Sequence, residues 1–121
     1  MKYIQRNIDS NYTQMNNHSV QNAELSLQAK GLLLVIMSNK DDWRPYIEEL
    51  SNRSKNGRDA HRTAFEELKE AGYIRIYRKS LGRGKGVQTY PLVQDIPITD
   101  SYWSYWVSRI EKELSTEVVD N

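Results

Sequence analysis

Cysteine is absent from the 121 residues, which excludes disulfides and thiolate metal sites and makes a reducing compartment the natural setting. Histidine is scarce: His18 and His61 stand far apart, and no carboxylates cluster around either, so no metal site is expected. No nucleophilic side chain is paired with a base, and neither catalysis nor a cofactor is expected. Long hydrophobic runs are missing too. The longest, "GLLLVIM", falls far short of the ~20 residues that span a bilayer, and the opening "MKYIQRNIDSNYTQ" has no apolar stretch of a signal peptide. These absences lead to the expectation of a cytoplasmic protein with no membrane association. Apolar residues make up only 38%, so one domain with a modest core is expected, with part of the chain outside it.

What is present is an unevenly distributed charge. The net charge is +1, yet ten Lys and Arg lie between Arg53 and Lys85 against four acids, a local +6. The remainder carries seven bases against twelve acids. A neutral chain with one segregated basic third is suited to meet a polyanion there.

Residues 1–25 are polar and rich in Asn and Gln, and a short strand with irregular chain is expected. "SLQAKGLLLVIMSN" reads as a helix capped by Ser26 and apolar on every side, hence central and buried. Gly31 in its interior costs roughly 1 kcal/mol relative to Ala, which points to an element packed closely there. "WRPYIEELSNRS" reads as a shorter second helix with Pro45 in its first turn, Glu48 and Glu49 at the positive end of its dipole, and Ile47 and Leu50 inward.

"SKNGRDAHRTAFEELKEAG" carries a third helix, with Asn56 as cap, Asp59 at the reciprocal position of a capping box, and Gly72 as its stop. At 100° per residue, Ala60, Ala64, Phe65, Leu68 and Ala71 share the core arc, with His61 at its centre. Arg58, Arg62 and Lys69 gather at its edge. "YIRIYRKS" and "VQTYPLV" alternate as strands, Ile74 and Ile76 on one face and Tyr73, Arg75, Tyr77 and Lys79 on the other. "LGRGKG" joins them as a flexible tip; it precedes no helix, so it is not a nucleotide-binding loop. The boundaries expected are a domain over 1–94, a linker over 95–100, an amphipathic helix over 101–115 and a frayed tail over 116–121.

Three helices followed by a hairpin with a basic tip is the order of a winged helix-turn-helix. The stretch "LSLQAKGLLLVIMSNKDDWRPYIEELSNRSKNGRDAHRTAFEELKEAGYIRI", residues 25–76, resembles the N-terminal domain of phage and plasmid replication initiators and replisome-organiser proteins of Gram-positive bacteria. The likeness lies in the "LSLQAKGLL" opening, "DDW" before the second helix, and "GRDAHRTAFEELKEAGYI" through the third. Tyr46 stands where that family has a Ser or Thr cap, and His61 where it has an aliphatic residue. The resemblance implies an α+β fold, double-stranded DNA as partner, the third helix in the major groove and the wing along the backbone. It places DNA contacts at Lys55, Asn56, Arg58, Arg62 and Thr63 of the helix and at Arg75, Lys79, Arg83 and Lys85 of the wing. Lys69, at the helix edge, joins the phosphate contacts.

In place of the family's replication domain stands a Trp-rich helix. Tyr102, Trp103, Trp106, Val107, Ile110 and Leu114 form an apolar surface wider than one small domain needs to cover itself. A partner interface is expected, with a homodimer as the main reading. The expected function is transcriptional control or origin recognition for a phage or other mobile element. The alternative is a winged-helix interaction module that binds and inhibits a host protein such as a nuclease or replication factor.

Overall fold

Ser26 begins the central helix as its residue type predicts. Its backbone is extended and its Oγ accepts from the amide of Ala29 at 3.0 Å, satisfying one of the orphan donors of the first turn. The same hydroxyl donates to Glu67 Oε2 at 2.7 Å, so the cap also ties this helix to the one that packs on it. The computed structural model describes residues 1–7 and 9–119. Its elements run α1 (Asn17–Val20), α2 (Leu27–Met37), α3 (Ile47–Leu50), α4 (Arg58–Glu70), β1 (Ile74–Ser80), β2 (Val87–Val93) and α5 (Asp100–Val119). The fold is therefore α+β, five helices and one two-stranded antiparallel hairpin among the described residues. No helix among them is long and apolar enough to cross a membrane.

The core forms where α2 meets α4 and the base of the hairpin. Ala29, Leu32, Leu33 and Ile36 of α2 meet Ala64, Phe65 and Leu68 of α4, with Leu50, Tyr73 and Ile74 closing the cluster. Helix α4 ends in a Schellman motif. The amide of Tyr73 donates to Leu68 O and that of Gly72 to Lys69 O, with Gly72 at φ +91°. That reversal starts β1 directly from the helix end. Register pairs Ile74 with Val93, Ile76 with Pro91 and Tyr77 with Tyr90. Ile74, Ile76 and Val93 face the core, as the period-2 pattern requires.

Several expectations are corrected. No strand forms before residue 25 among the described residues; Asn16 instead caps the single turn of α1, and the hairpin keeps two strands. Ile8, one of the isolated apolar positions there, lies outside the described residues. The second helix is one turn, not three. Pro45 precedes its N-cap, Tyr46, which makes no side-chain capping bond. The third helix is capped by Gly57 rather than Asn56, whose amide instead donates to Ser54 Oγ at 3.3 Å. The capping-box reading of Asn56 and Asp59 therefore fails. Helix α2 is not buried all round, since Leu27 is 86% exposed and Leu34 45%. The last helix extends past residue 115 to Val119, while the tail positions 120 and 121 lie outside the described residues.

Gly31 departs furthest from its expectation. A Cβ built there would meet nothing within 4 Å, because the residue borders an open groove of about 340 Å³ lined by Leu27, Val35, Ala60 and Ala64. No close packing needs a glycine. Gly31→Ala is thus expected to stabilise the fold by about 0.5–1 kcal/mol through helix propensity alone, read as a rise in urea midpoint at constant m. An unchanged or lowered midpoint would mean that the groove closes over this position.

Candidate nucleic-acid interface

The basic third of the chain sorts into cations that the protein engages and cations that it does not. Arg58, the first residue of α4, is held by Glu48 of α3 at 2.7 Å. Arg53 bonds Glu49 at 3.3 Å and Asn39 at 3.2 Å, and its guanidinium lies over the Trp43 ring. Lys69 pairs with Glu66 at 3.4 Å. Arg75 pairs with Asp100 at 2.9 Å and stacks over Trp103, which places it against α5. Among the described residues, Lys55, Arg62, Arg78, Lys79, Arg83 and Lys85 form no ion pair. Helical spacing offers Glu66 to Arg62, one turn on; Lys69 takes that carboxylate instead.

The hairpin tip owes its shape to glycine. Gly82, Gly84 and Gly86 all adopt positive φ, and two backbone bonds close the turn, Lys85 N to Gly82 O and Leu81 N to Gly86 O. Every residue from Ser80 to Val87 is exposed, which leaves Arg83 and Lys85 in solvent. On α4, Arg62 and Thr63 are exposed, while their neighbours Ala64 and Phe65 are buried. Asn56 and Lys55 sit exposed in the segment that leads into the helix. His61 is buried, as its place in the core arc implies. Its Nδ1 donates to Gly57 O at 2.8 Å, and its Nε2 lies 3.0 Å from Ser54 Oγ, so the ring knits the α3–α4 connection to the first turn of α4.

The other face of the hairpin carries α5. Tyr77 donates to Glu111 at 3.2 Å, Arg75 holds Asp100, and Trp103 and Trp106 stack with centroids 5.4 Å apart. Trp103, Trp106, Val107, Ile110 and Leu114 are each half-buried, and Tyr102 is 41% exposed. Tyr102 and Trp106 also line a crevice with Trp43, Pro91, Leu92 and Val93. Residues 95–100 read as a linker in sequence; 95–99 are fastened to the domain and Asp100 already opens α5. Ile98 is buried and donates its amide to Gly72 O at 2.8 Å, and Asp95 accepts from the amide of Asn16 at 2.8 Å.

Two contributors are invisible to local sequence patterns. Glu48 reads as a dipole feature of its own helix, whereas it reaches across the turn to Arg58. Tyr73 falls on the hairpin face opposite the isoleucines by alternation, whereas it is fully buried with its hydroxyl shared by His18 and Asn22. Partners 51 and 55 residues away leave no mark in local spacing. Among the described residues, no group of three or more His, Asp or Glu side chains could hold a metal ion. No protein-family model, curated protein or solved structure matches this chain.

The Tyr77 phenol is held above its ordinary value by loss of solvation, then by its bond to Glu111 and by that carboxylate's charge. An unfolded phenol loses its proton first. The stabilisation from this contact is therefore present below about pH 10 and is lost as pH rises through the higher folded value. Wild type is expected to be more stable than Tyr77→Phe at neutral pH, with the gap closing as pH rises. Thermal melts of both proteins from about pH 8 to about pH 11 provide the check. A constant gap would show that the Glu111 bond contributes nothing to docking of α5.

Proposed function

We propose that this chain binds double-stranded DNA through α4 and the β1–β2 hairpin in the manner of a winged helix-turn-helix, serving transcriptional control or origin recognition for a phage or other mobile element. The observation that carries this reading is the set of six cations without carboxylate partners on α4, the segment before it, and the hairpin. An exposed cation left unneutralised by its own chain is free to displace counterions from a phosphate, the main source of affinity for a duplex. The element order α2–α3–α4 followed by a hairpin supports the same reading, with α4 as the helix that enters the major groove.

Within this reading the cations divide by how firmly they are held. Lys55, Arg78, Lys79, Arg83 and Lys85 neutralise phosphates. Arg62 stands on a helix locked by Ala64, Phe65 and Leu68, and its guanidinium fork suits the O6 and N7 of a guanine. Thr63 and Asn56 lie beside it as polar contacts. Lys69, Arg75 and Arg58 are set apart from these, because Glu66, Asp100 and Glu48 hold them in the free protein. The remaining exposed face of α5, with Tyr102 and Tyr105, is the surface on which a second copy would dock to give two half-sites. An inhibitor that imitates DNA would need an acidic face, and on α4, the segment before it and the hairpin six unengaged cations outnumber the unengaged acids Asp59 and Glu70.

Arg62→Ala is expected to cost about 1–3 kcal/mol on a selected site and to relax specificity at one base pair, with little change in melting temperature. Arg83→Ala with Lys85→Ala is expected to weaken specific and random duplexes alike and to lower the salt slope by about 0.9 for each phosphate that is no longer neutralised. Competition binding against single-base variants of a selected site, with a salt titration, measures both. A uniform loss for Arg62→Ala would make it a phosphate ligand. Unaltered binding in every variant would overturn the assignment of the contact to α4 and the hairpin, and a wild type that binds no duplex would overturn the DNA reading in favour of a protein-interaction module.

A further inference from the structure

The Glu48–Arg58 bridge spans the turn between α3 and α4 with 2.7 Å between its partners. Both partners are more than half exposed, so the bridge faces solvent rather than the core. Three facts make a purely stabilising role a poor explanation. Exposed pairs contribute little to folding. Neither side chain belongs to the buried cluster, and α3 is already anchored by Leu50, which is fully buried. Connection of α3 to α4 is separately secured by His61 with Ser54 and Gly57.

What the bridge does change is the availability of Arg58. Its guanidinium is occupied by a carboxylate in the free protein, whereas Arg62, one turn further along the same helix, is not. A carboxylate and a phosphate make the same kind of bond with a guanidinium, so they compete for it. We infer that Glu48 is an affinity-setting residue that holds Arg58 away from the DNA backbone until a phosphate displaces it. This rests on the DNA-binding reading above. The bridge then weakens loose encounters with arbitrary sequence, in which Arg58 stays on Glu48. It yields where full docking of α4 brings a phosphate close enough to win the guanidinium.

The test is a double-mutant cycle with Glu48→Gln, Arg58→Ala and the pair together, using the full chain. Fluorescence anisotropy reads binding to a random-sequence duplex across a salt series, and thermal melts confirm the fold. Glu48→Gln is expected to tighten binding about two- to fivefold, the range that an exposed ion pair supplies, and to steepen the salt slope by about 0.9. In the Arg58→Ala background the same change is expected to do nothing. Equal tightening in both backgrounds would make Glu48 a general repulsive charge and overturn the inference, as would no tightening in either. If neither wild type nor Glu48→Gln binds any duplex, the DNA reading itself falls, and the inference with it. Should Arg58→Ala lose its fold, Arg58→Lys serves as the second background; a lysine keeps the charge but loses the fork, and Glu48→Gln is then expected to tighten binding less than in wild type.

Discussion

The reversal at Gly72 and Tyr73 is the constraint on which the other elements depend. Helix α4, both ends of the hairpin, the segment before α5 and the N-terminal turn all meet at these two residues. The Schellman bonds end α4, and the Tyr73 side chain enters the core. Its carbonyl accepts from Gln94 at the end of β2, and the Gly72 carbonyl accepts from Ile98 ahead of α5. The Tyr73 hydroxyl lies 2.8 Å from His18 Nδ1 and 3.1 Å from Asn22 Nδ2, which recruits the N-terminal segment. A buried phenol left without partners would cost about 1–3 kcal/mol, so α1 is held in place by the need to satisfy it. Gly72 cannot be replaced cheaply either, because its φ of +91° is a region side chains avoid.

From that junction the hairpin leaves with two different faces, and electrostatics follows the geometry. At its base, Arg75 and Tyr77 find Asp100 and Glu111 on α5, so charge there serves packing. Toward the tip, Lys79, Arg83 and Lys85 find no acid among the described residues. The same partition runs along α4, where Lys69 near the C-terminal end is paired and Arg62 in the middle is not. The four acids of the basic third thus do not dilute its charge evenly. Acids within and beyond that third neutralise selected positions and leave the others bare.

How much of this was legible in the sequence depended on the range of the interaction concerned. Ser26 as a cap, Gly72 as a stop, the core arc of α4 and both strands were readable, because each rests on periodicity or on the preference of one residue. The strand bounds 74–80 and 87–93 agree with the alternation that "YIRIYRKS" and "VQTYPLV" display. Gly57 as the cap was hidden by Asn56 beside it, which has the better capping side chain but stands one position ahead of the cap, with its backbone N–H donating to Ser54 Oγ. Gly31 suggested close packing and met open space, since a glycine announces permissiveness and not what uses it. For the candidate site, the basic residues could be named from composition and arc. Which of them would be neutralised could not, because Glu48 to Arg58 and Arg75 to Asp100 cross turns whose geometry only the folded chain sets.

Rigidity separates the tasks that the unengaged cations can perform. Reading a base edge requires a guanidinium held within a fraction of an ångström, and the middle of α4 offers that because Ala64, Phe65 and Leu68 fix the helix against α2. Neutralising a phosphate requires only charge within reach, and a glycine tip closed by two backbone bonds supplies charge without precision. Arg58 falls between the two. It begins the rigid helix, yet its side chain is committed to a carboxylate on a helix of a single turn. A guanidinium so placed is neither free nor fixed, and its use depends on what an incoming anion offers relative to Glu48. The order along α4, from an engaged guanidinium at Arg58 to an unengaged one at Arg62, follows from where the acids of α3 and α4 reach.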